Sequence, residues 1–536
     1  MTNSIADIGR AGAILVTGSN TTEMHPVIAS YVKRAVRHRG AKLIVVDPRR
    51  IGLTLYAERW LKPKPGTDVA WINGLMHVIL REGLHNEAFI KERTEGFDAL
   101  RHILEDYPPE RVEKITGIPA HDLEGAARIY AKADSAAILY AMGITQHTAG
   151  TDNVKSLANL AMLCGNVGVP DAGVNPLRGQ NNVQGACDMG GLPNVYSGYQ
   201  SVGDRAVREG MAKAWQVENL PERPGLTLME LMEGAARGEI RGMFVMGENP
   251  LLSDPDLHHA EEALRNLDFL VVQDIFLTET AQAAHVVLPG VSFAEKDGTF
   301  TNTERRVQRV RKAIRPIGDS KPDWEIICEL STRMGYPMHY EHPSAIMEEI
   351  ASVTPSYGGI RHERIERKGL QWPCPTIDHP GTAYLHKDRF TRGKGLFHAM
   401  EYRQPPEVPD EEYPLYLSTG RILYHWHTGS MTRRSTGLSE RAPECEVEIS
   451  AEDALTFQVA NGSMVSVKSR RGVITARVRI TDKAVKGVIF IPFHFAEAAV
   501  NRLTHGALDP VAKIPGYKVC AVSLLPQKGA KKSAKA

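Results

Sequence analysis

The sequence predicts an α/β protein with two related doubly wound parallel-sheet units and a C-terminal β-barrel domain. Three observations carry that expectation. A short apolar run ending in a glycine turn, then a helix, then a second apolar run ending in aspartate, occurs twice along the chain. Beyond Tyr413 the pattern changes to short alternating strands bounded by turns. Finally, 536 residues exceed what one core holds, at about 150 residues per domain. The expected domains are residues 1–180, 181–405 and 406–536.

The first copy starts at Ala11, with an apolar run that ends in a turn at Gly18-Ser19-Asn20. Uninterrupted apolar runs of this length mark parallel strands buried on both faces. Thr21 and Thr22 then supply capping residues, and Pro26 a first-turn proline. The helix that follows places Ile28, Tyr31, Val32, Ala35 and Val36 on one face, with Lys33, Arg34 and Arg37 opposite. Ala41–Asp47 is the next strand, completing a βαβ unit, which takes ligands at the carboxyl ends of its strands.

The second copy runs from Gly242 into Gly247-x-Asn249, and its second strand, Phe269–Asp274, ends in aspartate as the first copy does at Asp47. The Gly-to-Asp separation is 29 residues in one copy (18 to 47) and 27 in the other (247 to 274). Neither copy has the G-x-G-x-x-G fingerprint, so nicotinamide binding is not inferred. A Gly-x-Asn turn beside a helix start can approach a phosphate, and an aspartate at the next strand tip can accept from ribose hydroxyls. Two such half-sites imply two similar ligands, or one ligand with two nucleotide ends. Repetition for packing alone is the alternative.

Around these copies, Pro65-Gly66-Thr67-Asp68 opens an amphipathic helix (Val69, Ile72, Leu75, Met76, Ile79, Leu80), with Thr67 or Asp68 as its cap. Met142–Gln146 follows a strand over Ala136–Ala141. His285–Pro289 reads as a strand, and Glu295–Asn302 as a tight polar turn with Asp297-Gly298 as the hairpin signal. Residues 341–405 lose periodicity and read as an irregular excursion and a linker. The barrel strands are Tyr413–Gly420, Glu446–Ile449, Ser463–Lys468, Val473–Ile480 and Gly487–Ile491. His425 and His427, two apart, would share a face on a strand and could ligate a metal. No Cys, Asp or Glu accompanies them, so no metal-ligand set is assigned.

Lys plus Arg and Asp plus Glu nearly cancel, at 64 against 63, so no field gathers nucleic acid. No run of about 18 apolar residues spans a bilayer. The opening residues carry Asp7 where a signal peptide needs a basic start, which places the protein in the cytoplasm. The six cysteines lie far apart without a CxxC and read as buried thiols, Cys187 among them. The basic tail Lys528–Ala536 reads as a frayed end.

Asn175–Gly190 is the densest polar stretch. It holds the amides of Gln180, Asn181, Asn182 and Gln184, and the single guanidinium of Arg178. It shows neither helical nor strand period and reads as a loop. A planar guanidinium suits a small carboxylate held by two parallel hydrogen bonds. An interdomain linker whose amides cap helix ends is the alternative.

The same stretch resembles the signature of the molybdopterin-dependent oxidoreductases, specifically the formate dehydrogenase alpha subunit. The resemblance implies oxidation of formate to carbon dioxide, with Arg178 binding formate, and two molybdopterin guanine dinucleotides carrying molybdenum or tungsten. It assigns one guanosine end to Gly18, Ser19, Asn20, Asp47 and Arg49, and the other to Gly247, Asn249 and Asp274. Further cofactor contacts by resemblance are Gly66, Asp68, Gly143, Gln146, Gly179, Gln180, Asp297, Thr419, Arg421, His425, His427, Thr428, Asn501 and Lys518.

The likeness runs from Met1 to about Leu525. The family's four-cysteine iron–sulfur segment and its molybdenum-ligating Cys or Sec lie upstream of the matching region. An iron–sulfur cluster is therefore expected only in a missing N-terminal segment or in separate electron-transfer subunits. The second α/β unit is then expected to expose apolar sheet surface, at about 25 cal/mol per Å², and to fold marginally alone. Two rival readings are a non-enzymatic pterin-binding fragment or carrier, and a relative acting on another oxyanion such as nitrate. The Arg178 loop disfavours the second of these.

Overall fold

The computed structural model describes residues 1–527; the tail Lys528–Ala536, read above as a frayed end, lies outside the described residues. The chain divides into two compact units. One comprises Met1–Leu177, Leu252–His258 and residues 384–527; the other comprises Arg178–Leu251 and His259–Ala383.

The first unit is built on five parallel strands in the order Arg59–Leu61, Lys42–Val46, Ala13–Thr17, Ala136–Tyr140, Gly173–Pro176. The apolar runs are uninterrupted because each strand feeds two cores. Ala13, Leu15, Ile44, Val46, Ala136 and Ile138 pack on one side, and Ile14, Val16, Leu43, Val45, Ala137 and Leu139 on the other. Strand order reverses between Ala13–Thr17 and Ala136–Tyr140. The carboxyl ends of those two strands therefore open the crevice where sheets of this kind bind ligands.

Pro26 starts the helix Pro26–Arg39 at its first turn, and Gly40, at φ 73°, ends it in the left-handed region. Ile28, Ala29, Val32 and Ala35 are its buried face. The helix Asp68–Arg81 departs from the amphipathic expectation: 11 of its 14 residues are buried, because neighbouring helices cover it on several sides. Thr67 stands at its N-cap position without capping it; its hydroxyl donates to the Lys64 carbonyl instead (2.7 Å).

The C-terminal part of this unit is a closed barrel of six strands, ordered Leu415–Gly420, Val488–Pro492, Glu446–Ile449, Val473–Ile480, Met464–Lys468, Cys520–Pro526. Alternating residues such as Leu415, Leu417, Val447, Ile449, Val465 and Val467 fill its interior.

The second unit holds a smaller parallel sheet, Val286–Pro289, Phe269–Asp274 and Gly242–Met246 in that order. Val245, Leu270 and Val272 face its core. The opposite face stays open: Phe244 is 42% exposed, Met246 50%, Phe269 51% and Val286 38%.

Three local expectations are corrected here. The hairpin joining Gly298–Thr301 to Arg306–Val310 turns at Asn302–Arg305, not at Asp297-Gly298. Asn302 Oδ1 accepts from the backbone N–H groups of Glu304 (3.1 Å) and Arg306 (3.0 Å), and Arg305 takes φ 68°. Residues 341–405 are not wholly irregular; they contain the helix Pro343–Val353, capped by the His342 ring at Ser344 N–H (3.1 Å). Nor is Asn175–Gly190 all loop. A strand runs through Pro176, and the helix Val183–Asp188 starts after Asn182, whose φ is 64°. Among the described residues no helix is long and apolar enough to cross a membrane.

Candidate functional site

In the first unit, the crevice at the strand-order reversal is a cavity lined from several sequence-distant places. The turn after the first strand supplies Gly18, Ser19 and Asn20, and the next strand tip supplies Asp47 and Arg49. The segment Lys64–Gly66, with Asp68, and the turn Met142-Gly143 with His147 form a second side. The barrel closes it with Thr419, Arg421, Phe490 and Lys518.

Gly18 has φ 55°, and a Cβ there would lie 2.6 Å from the Gly143 carbonyl carbon; a Cβ on Gly143 would lie 2.5 Å from Gly18 Cα. Both glycines are required because two strand-end turns touch backbone to backbone, with Gly143 N–H donating to the Gly18 carbonyl (3.0 Å).

The cavity's charges are held out of water. Asp47 accepts from Arg49 N–H (2.8 Å), yet burial pushes its carboxyl up to about 6. Asp68 accepts from Trp71 Nε1 (3.2 Å), and its second oxygen stands 3.9 Å from His147 Nε2; burial raises its pKa as well. Lys518 donates to the Thr419 carbonyl (2.7 Å), and burial, aided by Arg421 and Arg49, lowers it to about 7. Burial lowers Arg421 to about 10. Arg49 stacks over Phe490, its guanidinium carbon 3.4 Å from the ring centre, and pairs with Glu448.

Three buried polar atoms of these lining residues have no hydrogen-bond partner: Asn20 Oδ1, Arg49 Nε and Arg421 Nη1. Buried donors and acceptors are almost always satisfied, so unsatisfied ones facing one cavity mark a place for a polar ligand. Cationic donors beside carboxylate acceptors suit a molecule with an anionic phosphate part and a hydrogen-bonding base.

Of the residues singled out in the sequence, Gly18, Ser19, Asn20, Asp47, Arg49, Gly66, Asp68, Gly143, Thr419, Arg421 and Lys518 line this one cavity. Gln146 ends the short helix Met142–Thr145 and is not among the lining residues. His425 and His427 lie on no strand, so they do not share a strand face. His425 spends both ring nitrogens within its loop, on Thr432 Oγ1 (3.3 Å) and the Ala442 carbonyl (2.7 Å). His427 keeps a buried, unpartnered Nε2, and burial pushes it down to about 3. Thr428 bonds Ser430 (2.9 Å). Asn501 donates to the Ser253 carbonyl (2.8 Å) and leaves Oδ1 buried without a partner.

Sequence reasoning missed Lys64, His147 and Phe490. His147 sits one turn after Gly143 and bonds its carbonyl (2.8 Å), a spacing that could have flagged it. Phe490 gives no such signal, because the barrel alone brings it under Arg49.

In the second unit, Gly247 N–H donates to the Gln273 carbonyl (2.8 Å), just as Gly18 N–H reaches the Val46 carbonyl (3.4 Å). Asp274 Oδ1 accepts from Ile275 N–H (2.6 Å) and Phe276 N–H (3.2 Å). Asn249 is committed inside its own unit, accepting from Thr280 and donating to Glu279 (2.7 Å). Asp297 lies before the hairpin, accepting from Lys312 N–H (3.3 Å).

Arg178, Gly179 and Gln180 lie in the segment that precedes the helix Val183–Asp188. Arg178 N–H donates to Thr303 Oγ1 (3.1 Å), and its Nε donates to Gln184 Oε1 (3.1 Å). Gln184 Nε2 donates in turn to Asp188 (2.7 Å), a fully buried carboxylate. Asp188 also accepts from Tyr199 (2.9 Å), Tyr357 (2.6 Å) and Trp372 Nε1 (2.6 Å). Tyr199 reaches it from a left-handed backbone at φ 61°. Among the described residues no group of three or more His, Cys, Asp or Glu could hold a metal ion.

Sheets of this kind bind ligands, nucleotides among them, at the strand-order reversal, and comparison gives the family. Residues 1–333 match the molybdopterin oxidoreductase family and residues 415–521 the molydopterin dinucleotide binding domain. The chain belongs to the molybdopterin oxidoreductase family. Its relatives include the F420-dependent formate dehydrogenase subunit alpha of Methanocaldococcus jannaschii. That protein is 51% identical over 528 residues, spanning 98% of this chain and 78% of its own length. Formate dehydrogenase H of Escherichia coli is 44% identical over 532 residues, spanning 98% of this chain and 74% of its own. Among solved structures, acetylene hydratase from Pelobacter acetylenicus shares the fold, with a TM-score of 0.76 at 21% identity over 98% of this chain and 81% of that one.

Proposed function

We propose that this chain is the alpha, catalytic subunit of a formate dehydrogenase that binds two molybdopterin guanine dinucleotides. The observation that carries the reading is a single cavity that gathers eleven of the residues singled out in the sequence, in a chain whose relatives are named formate dehydrogenases. The orphaned Arg49 Nε, Arg421 Nη1 and Asn20 Oδ1 fit a dinucleotide: two cationic donors suit phosphate oxygens, and one acceptor suits a ribose O–H or a base N–H. Asp47 would accept from the guanine edge. Burial raises its carboxyl to about 6, and neighbouring base N–H donors would favour the ionised form.

When bound, the metal–pterin group supplies the acceptor for the electron pair in HCOO⁻ → CO₂ + H⁺ + 2 e⁻. Arg178 binds and orients the carboxylate through parallel N–H donors, leaving the C–H bond as the part presented for reaction. Gln184, on Arg178 Nε, fixes the angle of that fork. Gly247 and Asp274 repeat the Gly18–Asp47 device and would take the second guanosine end. Gly179, Gln180, Asp297, His427, Thr428 and Asn501 are proposed pterin-side contacts. Electron-transfer partners and a cytoplasmic site of action belong to the same reading.

The test is formate-dependent reduction of a dye by the purified holoprotein with its electron-transfer partners. Turnover with formate that is lost in Arg178→Ala supports the proposal. Turnover with nitrate but none with formate contradicts it.

A further inference from the structure

The four donors around Asp188 are more than a buried hydrogen-bond cluster, because they settle the direction of a neighbouring amide. Four donors converge on the two oxygens of Asp188, which leaves its carboxylate the role of acceptor. The NH₂ end of Gln184 must therefore face Asp188 (2.7 Å), and the carbonyl end is turned toward Arg178 Nε (3.1 Å). Tyr199 closes the ring, accepting from Gln184 Nε2 (3.0 Å) and donating to Asp188 (2.9 Å). Gln184 is 4% exposed and Asp188 fully buried, so water cannot substitute for either partner. The Nε bond restricts rotation of the guanidinium plane, and a guanidinium suits a carboxylate only when that plane is correctly turned.

We propose that Asp188 is a positioning residue for substrate capture: its carboxylate sets which end of the Gln184 amide meets Arg178 and so fixes the angle of the formate-binding guanidinium. This rests on Arg178 as the formate-binding residue. An asparagine at 188 has nearly the same shape but presents both an NH₂ and a carbonyl. The Gln184 amide can then turn over and set its own N–H groups against the guanidinium.

The experiment uses the full-length holoprotein and sodium formate as probe, with Kd from calorimetry, KM and kcat from dye reduction, and a thermal melt. Asp188→Asn is expected to raise Kd and KM together by roughly tenfold, the scale of one charge-assisted hydrogen bond, with kcat changed less than about threefold. Tyr199→Phe removes one donor to the same carboxylate and one acceptor of the Gln184 NH₂ group, yet leaves that carboxylate acceptor-only, so the direction of the Gln184 amide is kept. It is expected to leave Kd unchanged. Equal shifts in the two variants, or no shift in Asp188→Asn, overturn the proposal. Should Asp188→Asn fail to fold, Gln184→Leu is read the same way: a rise in Kd of about tenfold supports the proposal, and an unchanged Kd overturns it. Arg178→Lys separates the two levels of inference. If it abolishes formate binding while Asp188→Asn does not weaken it, only the positioning role falls. If Arg178→Lys leaves Kd unchanged, the formate-binding reading of Arg178 falls too.

Discussion

Gly18–Asp47 and Gly247–Asp274 are the same device in two surroundings. In each, a strand ends in a left-handed glycine whose N–H bonds the residue before the aspartate of the next strand. In each, the aspartate then caps its own turn. The first copy is completed by distant partners: the Gly143 backbone against Gly18, and barrel residues around Asp47. A Cβ on Gly247 would meet nothing within 4 Å, and Asn249 is consumed by Glu279 and Thr280. Identical local sequence logic thus gives an enclosed, frustrated site in one place and an open, internally satisfied turn in the other. Local sequence sets the turn; tertiary enclosure makes it a site.

The largest expected effect breaks the comparison at the glycines. Gly18→Ala drives a methyl into the Gly143 backbone and is expected to cost about 3 kcal/mol or more in denaturant melts, with loss of bound cofactor. Gly247→Ala meets only the left-handed backbone penalty, about 1–2 kcal/mol. Equal costs would mean that the Gly18 crossing is not as close as described.

The next effect concerns charge. Asp47 binds its proton more tightly folded (about 6) than its ordinary 3.8. Between those values the native state holds the extra proton, so this group's contribution to stability falls as pH rises through that window. In protein stripped of cofactor, Asp47→Asn should be more stable than wild type at pH 7, by on the order of 3 kcal/mol. The gap should close as pH falls toward 4. A gap that is constant from pH 4 to 7 would show that Asp47 is not desolvated.

A smaller effect sharpens the contrast between the two asparagines. Asn249→Ala removes an internally bonded amide and is expected to cost about 1–3 kcal/mol in a chemical melt. Asn20→Ala is expected to leave stability within about 0.5 kcal/mol and to lower cofactor retention instead. Smallest of all, Phe244→Thr on the open face of the second sheet should change stability by less than about 0.5 kcal/mol. A loss above 2 kcal/mol there would show that this face is covered in solution.

The same contrast explains what was legible from sequence. The strands Ala13–Thr17 and Lys42–Val46 were readable because burial on two faces is written locally as an apolar run. Barrel strands were readable from their alternation. The Asp188 hub was not, since its donors Tyr199, Tyr357 and Trp372 lie 11, 169 and 184 residues away. Arg49's seat on Phe490 beside Glu448 was equally hidden, its ion-pair partner being 399 residues distant. The hairpin turn was misplaced because Asp297-Gly298 looks like a turn pair, while Asn302 makes the hydrogen bonds that turn the chain.

The central claim is that the Gly18–Gly143 crevice holds one guanosine end of a pterin dinucleotide. The most direct measurement is guanine nucleotide released by acid hydrolysis from purified holoprotein, wild type against Asp47→Leu. The account predicts two per chain in wild type and about one in the variant. Equal release from the two proteins, or none from wild type, would contradict it.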